Sequence, residues 1–195
     1  IEWLLENIVG LRSRASSGEV LFGNIDTSLM YRLSSGGTYA TDVSNASRTL
    51  LMDLKTLNWD DQLLKLFQVP RNALPQILPS SGDFGKTKGV GVLPDGIPIL
   101  GVLGDQQAAL FGQLCFEPGD AKCTYGTDSF LMCNSGKDII YSSHGLLTTV
   151  AWKIGTETTY ALEGSAFVAG AAVQFLRDNL GIIKSSAEVE GLARQ

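Results

Sequence analysis

Histidine and cysteine are scarce in this chain: 195 residues hold one histidine and three cysteines. Cys115, Cys123 and Cys133 form an odd set with no CxxC pair and no histidine-rich neighbourhood, which argues against a disulfide framework or a zinc site. They read as reduced, buried thiols, and no metal ligands are expected. His144 alone could serve a Ser-His-Asp arrangement, but nothing near it resembles a nucleophile elbow, so it reads as a turn residue. Charge is sparse too, at 18% of residues, with a formal net charge of −5 and no Lys/Arg cluster. That balance argues against a polyanion-binding face, and nucleic acid is not an expected partner. No apolar run approaches the roughly 18 residues of a membrane helix, and no signal-peptide pattern is present. A cytoplasmic location without a membrane partner is the default. The pattern G-x-x-x-x-G-K-[ST] is missing, and neither Gly89-Val90-Gly91 nor Gly101-Val102-Leu103-Gly104 has dinucleotide spacing, which disfavours P-loop and Rossmann chemistry.

What is present is apolar residue at 44% and 22 glycines, enough for a sizeable core with many tight turns. Ile1 to Leu11 reads as an amphipathic helix, followed by a polar connection from Ser13 to Glu19. Val20 to Gly23 reads as a strand leading into a helix through Leu33 that Asp26 and Thr27 could cap. Thr41 to Arg48 is rich in short polar side chains that bond their own backbone, predicting an ordered, structural loop. A core helix starts at Leu57-Asn58-Trp59-Asp60-Asp61 and stops at Val69-Pro70. Pro75 to Gly91 reads as a surface connection. From Ala121 the pattern turns to strands: Ala121 to Cys133, Leu146 to Lys153 and Thr158 to Leu162 predict an antiparallel meander, with turns at Asn134-Ser135-Gly136 and Ile154-Gly155. Ala166 to Leu176 predicts a helix whose small residues pack against that sheet.

One segment carries chemistry. Ile97 to Leu103 reads as a buried strand between Gly96 and Gly104, with Asp105 at its C-terminal end, where ligands of open α/β sheets collect. A carboxylate there can accept a hydroxyl proton. Spacing alone favours a plain helix cap instead, since the amides of Gln107 and Ala108 follow. Thr124-Tyr125-Gly126-Thr127-Asp128-Ser129-Phe130 is a hydroxyl-rich turn whose glycine would let a phosphate approach the backbone.

The run Gly104-Asp105-Gln106-Gln107-Ala108-Ala109-Leu110-Phe111-Gly112-Gln113 resembles the central motif of the glycerol-kinase branch of the FGGY carbohydrate-kinase family. Thr41 to Leu50, Leu21 to Thr27, and Tyr160 to Gly164 with Ala169-Gly170 are similar to the same branch, so the resemblance spans nearly the whole chain. Trp3 to Asn7 resembles the end of an FGGY signature that would begin upstream, so an internal piece of a longer chain is expected. The resemblance implies an α/β fold of the actin-like ATPase (ribonuclease H-like) type, with parts of two domains flanking an active-site cleft. Residues 1–114 would end the first domain and 115–195 begin the second. It implies a phosphotransferase that uses ATP and Mg2+ to convert glycerol to sn-glycerol 3-phosphate. Asp105 would be the general base and touch substrate, Gln106 would contact the glycerol hydroxyls, and Phe130 would wall the carbon chain. Thr127, Gly170 and Gln174 would contact nucleotide. Without the resemblance these three read as a turn residue, a packing contact and a solvent-facing amide.

Two departures stand out. Ser28 occupies a position where relatives carry tryptophan, which touches packing. Asp128 replaces the final glycine of the family's Thr-Tyr-Gly-Thr-Gly motif and brings negative charge toward nucleotide phosphate. The family's phosphate loop and its magnesium-associated aspartate would lie upstream, so no turnover is expected from these residues alone. The alternatives are a kinase for another polyol or sugar of the family and, because of Asp128, a kinase-like protein that binds without turnover. A dimer or tetramer of the intact protein is expected from the family.

Overall fold

A computed structural model describes all of residues 1–195. The chain opens with two short helices, α1 (Glu2–Asn7) and α2 (Leu11–Ser16). The single helix expected from Ile1 to Leu11 is interrupted at Ile8, which is extended, and Gly10, whose φ of 74° suits glycine, starts α2 afresh. Leu5, Leu11 and Ala15 pack on Ala73, and Val20 and Phe22 cover them. Val20 to Gly23 is not a strand. Only Phe22 is tied across, its N–H donating to Ala73 O at 2.7 Å, so no ladder forms.

Helix α3 (Ile25–Leu33) starts from Asn24, and Asp26 and Thr27 are not its caps. Both are buried, with Asp26 accepting from Thr41 Oγ1 at 2.7 Å. Strand β1 (Ala40–Asp42) pairs in parallel with β4 (Gln76–Leu78), so part of the connection expected from Pro75 to Gly91 is sheet. Between them lie α4 (Val43–Ala46), the hairpin of β2 (Met52–Asp53) and β3 (Asn58–Trp59), and α5 (Asp61–Leu66). Asp60 caps α5 by accepting from Gln62 N and Leu63 N.

The strand expected over Ile97 to Leu103 is instead an extended segment laced to residues 80–87. Phe84 N to Ile99 O, Ile99 N to Gly85 O and Val102 N to Ser80 O are among its bonds. Pro98 lacks a donor and Gly85 has a φ of +88°, so the ladder never becomes regular, and Ile97 and Leu100 stay exposed. Helix α6 (Asp105–Gly112) follows.

Four antiparallel strands come next: β5 (Ala121–Tyr125), β6 (Ser129–Gly136), β7 (Leu147–Ile154) and β8 (Glu157–Ala166). Their order is β5-β6-β8-β7, so the expected meander is corrected: β8 inserts between β6 and β7. The run from Ala121 to Cys133 is two strands folded at Tyr125 to Ser129, and Asn134 to Gly136 is a register shift inside β6 rather than a turn. The turn at Ile154-Gly155 is present, joining β7 to β8.

This sheet is covered on both faces. Val150 and Tyr160 join Val43, Ala46, Leu51, Met52, Trp59, Leu64 and Val69 in one core. Ala151, Trp152, Met132 and Ala161 join Leu110 and Cys115 in a second. The register shift between Val150 and Trp152 sends two successive side chains to the α6 side, which strict alternation forbids. Phe111, Phe116 and Trp152 then meet edge to face, with centroids 5.0 to 6.3 Å apart.

The last helices are α7 (Gly170–Asp178) and α8 (Glu188–Ala193). The expected helix from Ala166 starts four residues late. Ala166 ends β8, Phe167 is 76% exposed, and no residue of α7 is buried, so its small side chains do not pack against the sheet. Of the cysteines only Cys115 is buried; Cys123 is exposed and Cys133 half-buried, all three unpaired. His144 lies in an exposed bend beside Ser143. No helix is long and apolar enough to cross a membrane.

Candidate active site

Asp105 is the first residue of α6, and the cap position before it is Gly104, with no side-chain cap bond. The capping alternative therefore fails. The carboxylate is exposed, Oδ1 accepting from Gln106 N at 2.8 Å and Oδ2 from Gln106 Nε2 at 3.2 Å. An anion in the first turn of a helix is favoured by the backbone dipoles.

The loop that delivers it is anchored from beneath. Gly104 N donates to Ser44 Oγ at 2.9 Å, and Ser44 Oγ donates to Asp42 Oδ1 at 2.9 Å. Asp42 also accepts from Ser44 N, Asn45 N, Asn45 Nδ2 and Ser80 Oγ, so this fully buried carboxylate ties β1, α4 and the 80–87 segment to the start of α6. The polar run from Thr41 to Arg48 does bond its own backbone as expected, but it also carries the support for Asp105. A Cβ on Gly104 would sit 2.7 Å from Gln107 Oε1, so a side chain there would force the Gln107 amide to shift. Gln107, buried, donates in turn to Val150 O at 3.3 Å and fixes α6 on the sheet.

Beside Gln106 lies a residue that the sequence did not single out. Lys122 of β5 is 6% exposed. Its ammonium donates to Gln106 Oε1, to Thr124 Oγ1 at 2.8 Å and to Phe130 O at 3.4 Å. Burial pushes the Lys122 pKa down, while Asp105, Cys123, Glu163 and Cys115 pull it back up. A lone lysine in a strand reads as a solvated residue; only the packing of α6 over β5 buries it.

The same hairpin carries the second group of expected residues. Thr124 pairs with Phe130 and Tyr125 with Ser129, leaving Gly126, Thr127 and Asp128 at the tip. At ~3.3 Å per residue, Lys122 and Tyr125 are about 10 Å apart along β5. Gly170, at the start of α7, donates its N–H to Gly126 O at 2.9 Å, and Ala169 N and Ala171 N donate to Thr127 O at 2.9 and 3.2 Å. A Cβ on Gly170 would lie 2.3 Å from Gly126 O, so only glycine allows this approach. Thr127 is exposed, and Gln174 lies exposed one turn further along α7. Asp105 and Gln106 thus share one cluster with Lys122, while Thr127 and Gly170 share another. Asp128 turns its Oδ1 to Val168 N at 2.7 Å.

No three His, Cys, Asp or Glu side chains converge as a metal site. The apolar cleft of about 350 Å³ lined by Leu4, Phe22, Leu51, Trp59 and Leu74 lies elsewhere and includes none of these residues.

Residues 1–112 match the N-terminal domain of the FGGY family of carbohydrate kinases. A glycerol kinase of Bdellovibrio bacteriovorus is 57% identical over 195 residues, all of this chain and 39% of that protein. One from Myxococcus xanthus is 56% identical over 99% of this chain and 39% of its own length. Among solved structures, a Plasmodium falciparum glycerol kinase with ADP superposes with a TM-score of 0.89 at 42% identity, covering 96% of this chain and 37% of that one. A xylulose kinase of Rhodospirillum rubrum, at 20% identity and a TM-score of 0.76 over 98% of this chain and 38% of its own, shares the fold alone. The chain therefore spans well under half the length of these relatives. Its architecture is the mixed α/β, actin-like ATPase fold of their kind. With the family model covering the α6 motif that starts at Asp105, the chain belongs to the FGGY family of carbohydrate kinases.

Proposed function

We propose that these residues belong to a longer kinase that transfers the γ-phosphoryl group of MgATP to a terminal hydroxyl of glycerol, giving sn-glycerol 3-phosphate. The observation that carries this reading is Asp105, an exposed carboxylate in the first turn of α6 that lies outside the cap position and bonds only its neighbour Gln106. Relatives above half identity that are named glycerol kinase support the substrate.

Asp105 takes the hydroxyl proton as the alcohol oxygen bonds to the γ-phosphorus. The bond from that phosphorus to the bridging oxygen breaks, and its electron pair leaves with ADP. Gln106 holds the hydroxyls and Phe130 faces the carbon chain. Thr127, Gly170 and Gln174 contact the nucleotide, on the hairpin tip that the close approach of Gly170 to Gly126 holds against the start of α7. Magnesium arrives with ATP as part of that substrate. A domain division near Leu114, with residues 1–114 before the cleft and 115–195 after it, is consistent with this arrangement. A cytoplasmic enzyme suits three unpaired cysteines, and a dimer or tetramer is our reading for the intact protein.

The test is ATP-dependent formation of glycerol 3-phosphate by the full-length parent, beside a panel of other polyols. Asp105→Asn should lower kcat by about a thousandfold with little change in folding. Turnover of another polyol in preference to glycerol would keep the chemistry and change the substrate. An inactive parent that still binds glycerol would favour the non-catalytic reading that Asp128 raises.

A further inference from the structure

Lys122 has no packing reason to be where it is. A buried ammonium gives up its hydration, and an apolar side chain of similar length would fill the same space under α6. Its three protons have three acceptors within reach: Gln106 Oε1, Thr124 Oγ1 and Phe130 O. The first of these decides which way the Gln106 amide points. With Oε1 committed to the ammonium, Nε2 must turn to the other side, where it donates to Asp105 Oδ2 at 3.2 Å. A lysine on β5, an amide and a carboxylate on α6 thus form one directed chain.

We propose that Lys122 is a positioning residue for the phosphoryl transfer read above, locking the Gln106 amide so that its N–H faces Asp105 and the substrate hydroxyl. The reading rests on the kinase assignment. An amide held this way offers a donor to the hydroxyl oxygen and leaves the hydroxyl proton to Asp105; a flipped amide would compete with Asp105 as an acceptor. The ammonium also supplies positive charge near Asp105. The other ionisable groups that face it are Glu163 on β8, Cys123 on its own strand and Cys115 after α6. Of these Asp105 alone is exposed to substrate as a carboxylate, Glu163 being buried against Arg48.

The experiment uses the full-length parent with glycerol and ATP. Lys122→Met should lower kcat/KM for glycerol by about a hundredfold while KM for ATP stays within about twofold. Combined with Gln106→Ala, the losses should be far from additive, since the lysine acts through that amide. Thr124→Val, which removes one anchor of the ammonium and keeps its shape, should act in the same direction by about fivefold. Additive losses, or a loss that falls equally on KM for ATP, would overturn the proposal. If Lys122→Met does not fold, wild-type kinetics in Thr124→Val would overturn it equally. A parent that turns over no glycerol removes the kinase reading and this one together, whereas an active parent indifferent to Lys122 removes only this one.

Discussion

Arg48 and Glu163 meet as a two-point ion pair across 115 residues of sequence, Nη1 to Oε2 at 2.5 Å and Nη2 to Oε1 at 2.9 Å. The pair joins the turn after α4 to β8, beside the bond between Ser47 Oγ and Thr149 Oγ1 at 2.9 Å. Its two halves are unequal: the Glu163 side chain is 5% exposed and that of Arg48 40%. Removing the arginine strands a buried carboxylate, whereas removing the glutamate frees a cation that reaches water. Arg48→Met should cost about 3 kcal/mol, trimmed by the solvent already screening the guanidinium, and Glu163→Gln about 1 kcal/mol. Urea unfolding of the two variants measures the asymmetry, and equal losses would contradict it.

Gly170 permits the closest backbone approach in the candidate site. Gly170→Ala places a Cβ 2.3 Å from Gly126 O and 3.2 Å from Gly126 C, both backbone atoms that cannot swing aside. The loop must move, at about 1–3 kcal/mol, and nucleotide affinity should fall by at least tenfold. Gly191→Ala in α8 meets nothing within 4 Å and serves as the control, with a gain of about 0.5–1 kcal/mol in helix stability and unchanged nucleotide titration.

Asp128 does two opposing things. It brings negative charge to the hairpin tip, and it accepts from Val168 N, whose φ of 61° is unfavourable for a β-branched residue. Two unit charges about 4 Å apart repel by ~1 kcal/mol in water. Asp128→Asn keeps an oxygen for Val168 and loses the charge, so ATP should bind about fivefold tighter. Asp128→Gly also loses the bond and should gain less. Calorimetric titration with ATP separates these; no gain in either variant would sink the repulsion argument.

Asp26 makes stability depend on pH. Burial raises its carboxyl pKa, against the opposing Thr41 bond, and Oδ1 has no partner. A raised folded value means that the neutral form is the stabilising one. That contribution is full below the unfolded value of about 3.9 and is lost as pH rises through the folded value. Asp26→Asn, which stays neutral, should therefore match the wild type near pH 4 and exceed it near pH 7 in denaturant midpoint. A variant less stable at both pH values would show that the charge itself is needed.

Local chemistry made much of this protein legible from its residues. The helix start within Leu57 to Asp61, the turn at Ile154-Gly155, the self-bonding run after Thr41 and the α6 motif at Asp105 each depend on neighbours within a few positions. The expected strands at Val20 to Gly23 and Ile97 to Leu103 failed because a strand exists only by its partner's ladder, which apolar pattern does not report. The meander failed for the same reason, since β6 pairs with β8 rather than with β7, the next strand in the chain. Sequence alone thus determined the start of α5, the turn at Ile154-Gly155, the family and the candidate base, but not the bounds of α1, α3 and α7. Only tertiary structure decided that Asp42 supports Gly104, that Arg48 finds Glu163, and that Lys122 is buried against Gln106. Those contacts join residues far apart in the chain, and burial, which no single residue encodes, turns an ordinary surface lysine into a charge directed at one amide.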